Sequence, residues 1–167
     1  MSFKEWLNMV LSKDLICDRY KERVAKAQSK KQFMDIVLEA NGLEYLCKMK
    51  ADGYGLPTKT IVKEFAPFIN GNYEAEIKNR IGRTYTSAIF CGLDERNEIR
   101  VCNTATLFYG CSCKVVVPKN SFVQIYTDDD SSLEVECFAP SKCYVSHTAK
   151  AKVNTVGDGE FFFEEIK

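Results

Sequence analysis

Eight cysteines and one histidine are the residues of this chain best suited to bond-making chemistry, at positions 17, 47, 91, 102, 111, 113, 137 and 143, with His147 beside them. Zinc takes four thiolates or imidazoles in a tetrahedron. Cys111-Ser-Cys113, together with Cys102, Cys137, Cys143 and His147, supplies enough donors. The spacing argues the other way. The Cys-x₂₋₄-Cys pairs of structural zinc sites do not occur here. Cys113, Cys137 and Cys143 also stand at points of a repeat where Val or Leu stands in neighbouring copies. They read as small apolar core residues, so no metal and no cofactor is expected. A Cys–His nucleophile pair would have to use His147 with Cys137 or Cys143. The place of His147 in the same repeat favours an inward structural residue near a coil end. No catalytic set is expected and the protein is read as a non-enzyme.

Three further groups carry charge in patterns that chemistry uses. Asp128, Asp129 and Asp130 are consecutive, whereas calcium loops space their carboxylates at alternate positions with a glycine. The triplet therefore reads as a solvated turn. Glu74 and Glu76 share one face of a strand, and their alternation with Tyr73, Ala75 and Ile77 makes that the solvent face. Residues 43–69 can be read as helix–turn–helix. Lys48 and Lys50 would lie on the first helix and Lys59 and Lys63 on the second, which is the arrangement that phosphate contact requires. This gives the alternative function, a DNA-binding regulatory module. No glycine loop of Walker or Rossmann type is present: Gly110 and the pair Gly53 and Gly55 fit neither.

Residues 1–70 have the apolar period of helices. Ser2 with Glu5, and Ser29 with Gln32, have capping-box spacing. Phe3, Trp6, Leu7, Val10 and Leu11 form one stripe. A second helix is expected from about Asp14, carrying Leu15, Ile16, Tyr20 and Val24. A third carries Phe33, Ile36, Val37 and Ala40, with Asn41-Gly42 as its stop. Leu43, Leu46 and Met49 suggest a short fourth, and Thr58 to about Ile69 a fifth. From Asn72 onward the period falls to two. Lys78 to Arg83 reads as a basic loop, and strands follow at 85–90, near Ile99 and near Leu107.

From Cys113 the pattern repeats every ten residues. Cys113, Val123, Leu133, Cys143 and Val153 make one column, Val115, Ile125, Val135 and Val145 the next, and Val117, Thr127, Cys137 and His147 a third. The intervening Lys114, Gln124, Glu134, Glu136 and Ser146 are polar, so each repeat is a short strand with one buried face. Two architectures fit, an antiparallel meander or sandwich and a β-solenoid. Parallel neighbours in one sheet need a connection of roughly a dozen residues or more. A solenoid would therefore put consecutive repeats on different faces and stack residues twenty apart. The constant phase of the columns favours it.

The ladder resembles the short-coil β-solenoids of bacteriophage tail and spike proteins and of surface adhesins, over residues 99–163. The resemblance implies architecture and assigns no functional residue. The fold class expected is α+β: a helical subdomain, 1–70, packed without a linker on an edge or end of a β-repeat subdomain, 71–167. Lys and Arg number 23, as do Asp and Glu, and the first seventy residues are only slightly basic. Net charge thus makes no case for nucleic acid or membrane, and no stretch is long enough to span a bilayer. With no secretory leader pattern and unpaired cysteines, the chain reads as cytoplasmic, or virion-borne if of phage origin. The expected function is that of a structural or interaction protein, in the phage reading a virion-associated component. It would self-associate or dock on a protein partner, because a bare end coil invites assembly.

Overall fold

The computed structural model describes residues 1–13, 15–78 and 84–166. They form an α+β fold of five helices followed by ten strands. The helices are α1 Phe3–Ser12, α2 Asp18–Lys26, α3 Lys30–Val37, α4 Ala40–Ala51 and α5 Thr58–Phe65, with a 3-10 turn over Ala66–Phe68. Ser2 and Glu5 make the full capping box: Ser2 Oγ accepts from the Glu5 N–H at 3.3 Å, and the Glu5 carboxylate accepts from the Ser2 N–H at 2.7 Å. At α3 only half of that motif forms. Ser29 caps Gln32 N–H at 3.2 Å, but the Gln32 side chain reaches one residue further back, to Gln28 N–H.

Two helix boundaries differ from the sequence reading. The second helix starts at Asp18, so Leu15 and Ile16 lie in the connection, and Asp14 falls outside the described residues. Asn41-Gly42 is not a stop but part of the first turn of α4. A Cβ at Gly42 would drive into the Val37 carbonyl, so glycine serves the close passage from α3 to α4.

The strands are β1 Ala75–Lys78, β2 Thr84–Cys91, β3 Glu98–Arg100, β4 Thr104–Tyr109, β5 Ser112–Val117, β6 Phe122–Thr127, β7 Ser132–Cys137, β8 Lys142–His147, β9 Lys152–Val156 and β10 Glu160–Glu165. They alternate between two sheets, in orders β1-β2-β4-β6-β8-β10 and β3-β5-β7-β9. Every pairing is parallel except β1 with β2. Cys113 lies beside Leu133 and Leu133 beside Val153, while Val123 lies beside Cys143 and Ile125 beside Val145. This is the stacking of residues twenty apart that defines a β-solenoid, and it excludes the meander and the sandwich.

The coil begins earlier than the ten-residue pattern does. Thr86 pairs with Thr104, eighteen residues on, and Ala105 with Gln124, nineteen on; the spacing is twenty in the middle coils and eighteen again between Lys142 and Glu160 at the end. The first coils are shorter at their corners, which breaks the sequence period without breaking the stack. The basic loop expected over Lys78–Arg83 lies outside the described residues, apart from Lys78 at the end of β1.

Two apolar clusters form. Inside the coil are the columns, with Phe108, Val115, Val117, Val123, Ile125, Val135 and Val145 all buried. The second cluster joins the helices to the outer face of the six-stranded sheet: Trp6, Phe33, Leu43 and Phe65 pack with Ile89, Leu107, Tyr109 and Tyr126. The helices therefore cover a face of the sheet and not, as expected, an edge or end. The reason is local, since β2 and β4 are apolar on both sides and need cover on both. The edge of β2 is closed by β1.

The corners are held by buried serines. Ser131 Oγ accepts from Cys111 N–H at 3.1 Å and donates to the Asp128 carboxylate. Ser141 Oγ accepts from Ser121 N–H at 2.9 Å and donates to the Pro118 carbonyl at 2.7 Å. Each serine thus ties its own coil to the preceding one and satisfies backbone groups that a corner leaves unpaired. Among the described residues no helix is long and apolar enough to cross a membrane.

Candidate functional site

Polar chemistry concentrates where the helices meet the coil. The last turn of α4 carries Lys50 to the corner between β6 and β7. Its Nζ lies 2.6 Å from Asp128 Oδ2 and 2.9 Å from Asp130 Oδ2, and 3.9 Å from the centroid of the Tyr109 ring. Asp128 has no exposed surface, and its carboxylate also accepts from the Gly110 N–H at 2.9 Å. Tyr109 donates its hydroxyl to the Leu56 carbonyl at 2.7 Å. Gly110 sits at φ +57, and Thr58 of α5 occupies the space that a side chain there would need. The α4 helix, the loop before α5 and two coil corners thus converge on one ammonium group.

Electrostatics make this junction inert. Burial pulls the Lys50 ammonium toward neutrality, but its bonds to Asp128 and Asp130 overcome that, and its pKa ends above the usual lysine value. A lysine held charged has no lone pair for nucleophilic attack. Burial, reinforced by the Asp128 charge, pushes the Tyr109 phenol up, so it stays a neutral donor. Burial likewise pushes the neighbouring Cys91 thiol up to about 12 and the Cys47 thiol well above its ordinary range. The arrangement is an anchor that fixes the helices to the coil.

It also corrects two sequence expectations. The aspartate triplet is not a uniformly solvated turn. Asp128 is wholly buried on Lys50, Asp129 accepts from the Lys150 N–H at 3.2 Å, and only Asp130 has a largely exposed side chain, at 67%. Lys50 is not a surface base, because its charge is matched inside the junction and 11% of its side chain remains exposed. Of the other lysines of the helix–turn–helix reading, Lys48 is half-buried and Lys59 and Lys63 are exposed on α5. The α4 helix packs on α3 and the sheet, and α5 on α1 and β2.

The sulfur and imidazole groups are dispersed. Cys113, Cys137 and Cys143 lie inside the coil. Cys111 Sγ faces the Phe90 carbonyl at 3.4 Å, and Cys102 is exposed with its sulfur 3.3 Å from Ser121 Oγ. His147 Nδ1 lies 3.0 Å from the Thr148 carbonyl oxygen, and its ring meets Phe163 near the last coil. Among the described residues no group of three His, Cys, Asp or Glu could hold a metal ion. Glu74 and Glu76 are both exposed.

A second candidate is the far end of the coil. Among the described residues β9 and β10 each have one neighbour and a bare outer edge. The inward positions, sealed in earlier rungs (Val135 0%, Val145 1%), open here, and Phe163 is 52% exposed. Val156, at the end of β9, is 43% exposed. The corner between the two strands is tight. Gly159 N–H donates to the Cys137 carbonyl at 3.0 Å, and Asp158 accepts from the Ala139 N–H at 2.9 Å. Gly157, at φ +103, has no room for a Cβ beside that carbonyl. A row of rings on the outer face runs to the same edge, with Tyr144 and Phe162 stacked at 4.5 Å and Phe122 5.2 Å from Tyr144. Comparison of the chain with protein-family models, with curated proteins and with solved structures found no match.

Proposed function

We propose that this protein is a non-enzymatic structural and interaction protein that joins an assembly through the open end of its coil. The observation that carries this is the opening of the apolar coil interior at its last strands. Among the described residues β10 has no strand on its outer side, and Phe163, in a column sealed at Val145 (1%), is 52% exposed. The unpaired N–H and C=O groups of β10 thus lie beside an uncovered apolar ring. Such an edge recruits a strand from another chain. The finer reading is a virion-associated component of phage or mobile-element origin. Its support is the resemblance of the ladder to the short-coil solenoids of tail, spike and adhesin proteins.

Light scattering of the purified chain across a concentration series, with hydrogen exchange of the β10 amides, tests the proposal. The expected result is a mass above the 19.0 kDa monomer, with β10 protected at high concentration and Phe163→Glu abolishing both. A monomer at every concentration, with β10 exchanging freely, would overturn it.

A further inference from the structure

We infer that the occupant of the open end is a second copy of this chain, related by a two-fold axis parallel to the strands, so that β9 of each copy pairs antiparallel with β10 of the other. The inference rests on the open-end reading above and goes further by naming the partner, the symmetry and the register.

The geometry of a coil end selects this arrangement. Strands in a sheet are about 4.8 Å apart, so each half-coil advances the stack by about half that distance. The edge of β10 therefore stands about 2.4 Å beyond that of β9. A two-fold axis perpendicular to the sheets would pair β10 with β10 and β9 with β9. When the first pair reaches bonding distance, the second is left about 4.8 Å too far apart. An axis along the strands pairs each leading strand with a lagging one. Both pairs then close at the same separation, and the inner face of each sheet continues into the inner face of its neighbour. It also places the two sets of helices on opposite faces of the joined stack, where they cannot collide.

The register follows from the three-residue corner. Val156 and Glu160 flank it, so they lie at one level across the coil, as do Asn154 and Phe162, and Lys152 and Glu164. An axis along the strands preserves level. It therefore sets Lys152 opposite Glu164 of the second copy, twice per dimer. Both side chains are exposed, and among the described residues neither has an ion-pair partner. On the inner face Val153 meets the second copy's Phe163, covering the most exposed ring of the core columns. The competing β10–β10 contact centred on Phe162 would set Glu160 against Glu164, a like-charge pair directly opposed on one face.

Sedimentation or light scattering on four samples tests the inference: the parent chain, Lys152→Glu, Glu164→Lys, and an equimolar mixture of the two variants. Each variant alone should raise the dimer dissociation constant roughly tenfold, because like charges then face each other twice. The mixture should restore most of the parent affinity, because a dimer of one variant with the other sets opposite charges face to face at both contacts. In a Cys17→Ser, Cys102→Ser background, oxidation of the double variant Lys152→Cys, Glu164→Cys should give a covalent dimer, and neither single cysteine variant should. Assembly that ignores both charge changes, grows beyond a dimer, or is not restored by mixing would overturn this pairing and leave the open-end reading standing. A monomeric parent chain would overturn both.

Discussion

The ammonium of Lys50, on the last turn of a helix, lies 2.6 Å from a carboxylate of Asp128 that has no exposed surface. Asp130 meets the same ammonium at 2.9 Å from a side chain 67% exposed. The two distances are nearly equal and the two burials are not, and burial sets the cost of removal. Asp128→Ala leaves Lys50 half-compensated and strips the Gly110 N–H of its acceptor, so it should destabilise by about 3–5 kcal/mol. Asp130→Ala should cost about 1 kcal/mol or less. Urea titration of both variants checks this, and equal losses would refute the anchor.

Ser131 and Ser141 accept from backbone N–H groups of the preceding coil. Replacing either by alanine orphans a buried donor, at a cost of about 1–3 kcal/mol. Ser132, one position along and exposed, should tolerate alanine within about 0.5 kcal/mol. Chemical denaturation of the three variants reads the difference, and a Ser132 loss as large as the others would count against the corner ladder.

Thr127 points into the coil with a hydroxyl that is buried and, among the described residues, has no hydrogen-bond partner. Thr127→Val keeps the shape and removes the unsatisfied group. It should stabilise the protein by about 1 kcal/mol, where most core substitutions destabilise. A lower denaturation midpoint would show that the hydroxyl is satisfied in solution.

How much of this was legible in the sequence depended on how local each cause was. The columns from Cys113 onward were readable because an inward face excludes charge at every rung; their constant phase favoured the solenoid, and the parallel pairing of residues twenty apart decided it against the meander. The helix-covered face carried a signal of its own. In β2 and β4, Ile89, Cys91, Leu107 and Tyr109 face the helices while Phe90 and Phe108 face the coil interior, so both sides are apolar, whereas β7 alternates Leu133, Glu134, Val135 and Glu136 cleanly. A strand apolar on both sides needs a second layer over its outer face. The Lys50–Asp128 pair had no such signal. Its partners lie in different halves of the chain, and an aspartate in a run of three looks solvated until the fold brings a cation onto it. The anchor is a product of tertiary structure alone.

The junction and the coil interior should make the protein sensitive to alkali. Burial holds the thiols of Cys47, Cys91 and Cys143 above their ordinary value, the latter two at about 12, and also raises Tyr109 and Tyr126. Each keeps its proton in the folded chain at a pH where the unfolded chain has lost it. That stability is fully present below about pH 9 and declines as pH climbs toward the folded values, by about 1.4 kcal/mol per pH unit for each thiol. Lys50, raised by its aspartates, acts with the same sign. Under reducing conditions the urea midpoint should hold between about pH 7 and 8.5 and fall steadily by about pH 10.5. A flat profile to that pH would mean the thiols are already solvated.

The twenty-residue pairing distance of the middle coils makes the fold a yardstick. Excising residues 132–151, one full circuit that spares the Asp128 corner, would bring Ser131 directly before Lys152 and leave every column in phase. The molecule would shorten by about 4.8 Å, and its terminal strands would be unaltered. Duplicating the same tract would lengthen it by the same increment. Reach in such a protein can change in fixed steps while its two extremities, and whatever they recognise, stay the same.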